Sequence, residues 1–102
     1  MMHLIQVFLP LYDALGQVFG EEHFIAVRKQ LTERFGGITT YSRAPAQGFW
    51  KEKEKVHKDD LVVFEVMAEH LDRQWWEAYR RALEASFRQE VILIRAQIIE
   101  IL

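Results

Sequence analysis

Two stretches of the chain carry charge inside otherwise apolar runs: Leu61-Val-Val-Phe-Glu-Val-Met-Ala68 and Val91-Ile-Leu-Ile-Arg-Ala-Gln-Ile-Ile99. Side chains alternate between the two faces of a strand. Glu65 therefore shares a face with Leu61, Val63 and Met67, while Arg95 and Gln97 share one with Val91 and Leu93. Each run reads as a strand with one apolar face and one mixed face. The mixed face is too apolar for ordinary solvated surface and too polar for ordinary core. Faces of that kind meet another subunit or a ligand.

The remaining pattern supplies the other elements. Residues 3–9 alternate as a first strand that Pro10 ends, with residues 11–20 as its connection. Phe24, Val27, Leu31 and Phe35 recur at three-four spacing, predicting a helix over Glu21–Phe35. Glu21 and Glu22 suit its positive N-terminal end, and Gly36-Gly37 supplies its stop. Ile38–Arg43 is β-branched and aromatic and reads as strand two. Asp72 can cap a second helix running to about Gln89, with Trp76, Tyr79, Leu83 and Phe87 as its inward stripe.

The resulting order, β-α-β then β-α-β, predicts an α+β ferredoxin-like sandwich. One domain spans 1–102, with two helices on one face of a four-stranded antiparallel sheet and strand one between strands three and four. Two helices cover only one face of such a sheet. The other is expected to carry Leu4, Gln6, Phe8, Val63, Glu65, Met67, Leu93, Arg95 and Gln97. Its apolar content predicts a homodimer assembled through the sheet face.

Composition narrows the function classes. The 102 residues are 50% hydrophobic and 27% charged, a globular balance large enough for a core without disulfides or metals. There is no cysteine, which removes thiol catalysis and thiolate metal sites and fits a reducing, cytoplasmic compartment. A net charge of -2 and a pI near 6.1 offer no general attraction to nucleic acid. The charged stretch 51–60 has nearly balanced signs and reads as a solvated connection. Residues 1–9 lack the basic start of a signal peptide, and no run reaches membrane-spanning length.

Glu65 and Arg95 are the first candidates for chemistry. Strand one would lie between them and bring Gln6 into the same row. One reading is a polar network that fixes sheet register or dimer geometry. The other is a pocket in which Arg95 holds a carboxylate, phosphate or enolate oxygen and Glu65 moves a proton. Tyr41 and Trp50 are candidate walls for a flat organic ligand, with Gln6 and Gln97 as polar contacts. His70, before the second helix, is a third acid-base candidate because its intrinsic pKa lies near neutrality. His3, His23 and His57 are weaker. The four histidines are scattered and show no metal-binding spacing. Gly36-Gly37 follows a helix, the reverse of a dinucleotide loop. No cofactor is expected.

The Phe35-Gly-Gly-Ile-Thr39 turn, the Gly48-Phe-Trp50 segment and Trp75-Trp76-x-x-Tyr79 resemble small bacterial proteins of the dimeric ferredoxin-like, α+β barrel class. That resemblance implies a dimer with a cavity between sheet and helices. It spans a class that includes cofactor-free monooxygenases, isomerases, haem-handling proteins and ligand-binding regulatory modules. The expected function is a homodimeric small-ligand-binding or structural protein. The alternative is a cofactor-free enzyme, monooxygenase- or isomerase-like, acting on a small aromatic or carbonyl compound.

Overall fold

The computed structural model describes residues 1–43 and 60–102. These form β1 (Met2–Pro10), α1 (Glu21–Phe35), β2 (Thr39–Arg43), β3 (Leu61–Ala68), α2 (Arg73–Ser86) and β4 (Ile94–Ile99). The strands make one antiparallel sheet in the order β2-β3-β1-β4. This is the ferredoxin-like topology that the element order predicts, with β1 between β3 and β4.

Alternation along the strands sorts the residues between two faces. Ile5, Val7 and Leu9 of β1 and Val62, Phe64 and Val66 of β3 pack with Val27 and Leu31 of α1 and Trp76 and Leu83 of α2. These side chains are almost fully buried, at about 1.5–3 kcal/mol of apolar transfer for each large one. Both helices therefore cover the same face. Gly36 caps α1 in the left-handed region, φ 84°, and its N–H donates to the Thr32 carbonyl. Asp72 caps α2 by accepting from the Trp75 N–H at 3.1 Å.

The expected barrel is corrected by the sheet itself. β2 and β4 end the strand order and do not pair with each other, so the layer is open. Closure demands strands that tilt and stagger until the two edges meet, and here the edges lie at opposite sides of the layer.

Besides the one-residue extension of β1 to Met2, two strand starts differ from the pattern. β2 begins at Thr39 rather than Ile38, and β4 at Ile94 rather than Val91. At the second, the Ile92 N–H donates to Glu84 Oε2 at 3.0 Å and the Ile92 side chain joins the core, while Val91 is exposed. A side chain of α2 therefore anchors the chain just before the strand. No helix among the described residues is long and apolar enough to cross a membrane.

Candidate functional site

Register places four residues in one row across the helix-free face. Thr39 stands opposite Glu65, Glu65 opposite Gln6, and Gln6 opposite Arg95. Directly opposed residues share a face, so one polar row crosses every strand of the sheet. Gln6 joins its neighbours with both ends of its amide. Its Nε2 donates to Glu65 Oε2 at 2.6 Å, and its Oε1 accepts from Arg95 Nε at 2.8 Å. An amide is suited to this place because it offers a donor to the carboxylate and an acceptor to the guanidinium. The Arg95 guanidinium also lies over the Phe8 ring, 4.8 Å from its centroid, a second contact that positions it.

Unlike rows flank this network. On one side, Phe8 stands opposite Val63, and both are buried although they lie outside the helix-side core cluster. On the other, Met67, Leu4 and Gln97 stand in line. Met67 is half-exposed and Gln97 exposed. Leu93, just before β4, is also half-exposed. The far face is thus covered within the chain at Phe8 and Val63 and open toward Met67 and Gln97.

A groove of about 470 Å³ opens beside this second row, lined by Leu4, Gly36, Gly37, Thr39, Glu65 and Met67 among others. It exists because β2 starts at Thr39, opposite Glu65, so β3 runs on through Met67 without a β2 neighbour. The double glycine that ends α1 carries no side chain into that step.

Gln6, Glu65 and Arg95 are therefore brought together, with Gln97 one row away. Tyr41 has its backbone opposite Val63 in β2. His70 is exposed in the bend after β3 and is not part of the row. Trp50 lies outside the described residues. The contribution of Gly36-Gly37 to a groove was missed from sequence, where the glycines read only as a helix stop. The signal was the offset between the start of strand two and the end of strand three, which needs the register. Among the described residues no group of three His, Asp or Glu side chains stands where it can hold a metal ion.

Set against protein-family models, curated proteins and solved structures, the chain has no match. The likeness of Phe35–Thr39 and Trp75–Tyr79 to the dimeric α+β barrel class is accordingly corrected. The ferredoxin-like topology stands, and membership of that class does not.

Proposed function

We propose that the chain is a homodimeric small-ligand-binding or structural protein whose working surface is the open sheet face. The observation that carries this reading is the pairing of the Glu65–Gln6–Arg95 row with the half-exposed Met67 and Leu93 and the partly buried Leu4 beside it. The row holds the sheet in register and supplies polar contacts, and the apolar side chains supply the area that favours association. Two copies pack through this face, and a small organic ligand enters the groove beside Thr39 and Glu65.

The geometry favours binding over catalysis. Gln6 occupies the span between Glu65 and Arg95, where a substrate would have to sit to use both groups. A cytoplasmic setting belongs to the proposal, since a chain without cysteine has no disulfide to lose there.

Sedimentation equilibrium of the wild type and of Met67→Lys tests the assembly. Met67 is half-exposed, so a charge there leaves the fold intact and should lower the assembled mass. A wild type that is monomeric at every concentration would sink the proposal. A fragment screen that moves the Gly36, Gly37 and Thr39 amide resonances tests the ligand groove.

A further inference from the structure

β4 is an edge strand, paired to β1 on one side only among the described residues. It contains no proline or lysine, the residues with which exposed edges are commonly protected. Its helix-side residue Ile98 is 61% exposed and Ala96 is exposed, so beyond Ile94 the helices do not reach over this strand.

The phase of the ladder fixes which backbone groups face outward. The Phe8 N–H donates to the Leu93 carbonyl at 3.0 Å, which continues the β1–β4 ladder past Ile94. In an antiparallel pair, alternate residues bond to alternate neighbours. Leu93, Arg95, Gln97 and Ile99 therefore turn their backbone groups toward β1. Ile94, Ala96 and Ile98 turn theirs to the free edge.

The side chains along this strand are arranged symmetrically about Ala96. Reading outward, Arg95 and Gln97 are polar, Ile94 and Ile98 are isoleucines, and Leu93 and Ile99 are apolar. We propose that β4 pairs antiparallel with β4 of a second copy, centred on Ala96, to join two sheets into one continuous layer.

A twofold axis perpendicular to the sheet then sets Ala96 against Ala96 and Ile94 against Ile98 of the second copy. These are the residues whose N–H and C=O groups already point outward. Arg95 falls opposite Gln97 of the second copy in a non-hydrogen-bonded pair, where side chains approach most closely. The two Arg95 side chains meet only on a diagonal.

Neighbouring registers are worse. Centring on Arg95 sets like charges directly opposite each other. Centring on Gln97 sets Arg95 against Ile99 and Ile94 against Glu100. The strand suits a second copy because the twofold brings compatible residues opposite each other, Ile94 with Ile98 and Arg95 with Gln97. This contact uses the edge rather than the face, and it stands or falls independently of the face assembly.

Ala96→Pro removes an outward N–H and spares the β1 ladder, and Ile98→Lys places a charge at the seam. Both variants should keep the wild-type circular dichroism spectrum and sediment at half the wild-type mass. In the assembled wild type the Ala96 amide should exchange at least about tenfold more slowly than in Ile98→Lys. Met67→Lys tests the face alone and should leave that amide protected. Equal masses for the wild type and both edge variants would overturn the proposal. So would Ala96 exchange that is fast at every concentration. Protection that appears only on adding a foreign extended peptide would overturn the second-copy assignment.

Discussion

Gln6 hydrogen-bonds both charged members of the row, and its consequences can be measured. Gln6→Leu removes the donor to Glu65 and the acceptor from Arg95 together, while keeping a side chain of similar reach on β1. Hydrogen bonds to charged groups contribute about 1.5–3 kcal/mol when shielded, and this row is only partly buried. The expected loss is about 1–3 kcal/mol in urea unfolding, with unchanged far-UV spectra. Stability within a few tenths of a kcal/mol of wild type would mean that the row is ornamental to the fold. The row was legible in the sequence because Gln6, Glu65 and Arg95 share the parity of a face and strand one lies between the other two. What parity does not carry is distance along the strands. It could not place His70, which the chain leaves in the bend beyond β3.

Sequence periodicity was a good guide to α1 and β3, whose bounds match the pattern, and a poorer one where α2 passes into β4. Val91-Ile-Leu-Ile is uniformly apolar, so alternation has nothing to mark as the first strand residue. Ahead of the strand Glu84 holds the chain, accepting from the Ile92 N–H at 3.0 Å and from Arg80 Nη1 at 2.8 Å. The Ile92 amide first, and Arg80 with it, hold the Glu84 carboxyl below the usual carboxylate range, against an opposing effect of burial. A carboxylate whose folded pKa is depressed stabilises the fold fully above its unfolded value and loses that contribution as pH falls through the folded value. Glu84→Gln keeps an oxygen for Ile92 and loses the titration, so its acid-unfolding limb should be shallower than that of the wild type. Superimposable limbs would refute the assignment to Glu84. The helix end is equally local. Arg88 follows the last turn in the left-handed region, φ 52°, and the Gln89 N–H donates back to the Glu84 carbonyl at 2.9 Å. A glycine would announce this turn in the sequence, and an arginine does not. Arg88→Gly should therefore stabilise the protein, by up to about 1 kcal/mol once the added freedom of the unfolded chain is subtracted. Thermal unfolding of that variant is the check.

At the scale of the whole molecule, the helix-free face divides into a part the chain covers itself and a part it leaves open. Two substitutions separate these parts. Val63 is fully buried, and Val63→Ala removes packing that a single copy already possesses. Its cost, about 1–3 kcal/mol, should be the same in dilute and concentrated protein. Met67 is 49% exposed, so Met67→Ala takes little from a single copy and should cost less than about 1 kcal/mol in dilute solution. Association that buries Met67 changes this comparison, because native copies that bind each other are stabilised as concentration rises. The melting temperature of the wild type should then climb across a dilution series. Met67→Ala should flatten the climb, while Val63→Ala should lower the whole curve without changing its slope. Ala96→Pro, acting at the edge, should flatten it by a separate amount. The two flattenings should add in the double variant, since Met67 on β3 and Ala96 on β4 are separated by β1. A wild-type melting temperature that does not move with concentration would remove both contacts at once. The ferredoxin-like fold would then remain as the property of a single copy, with Phe8 and Val63 covered and Met67 simply wet.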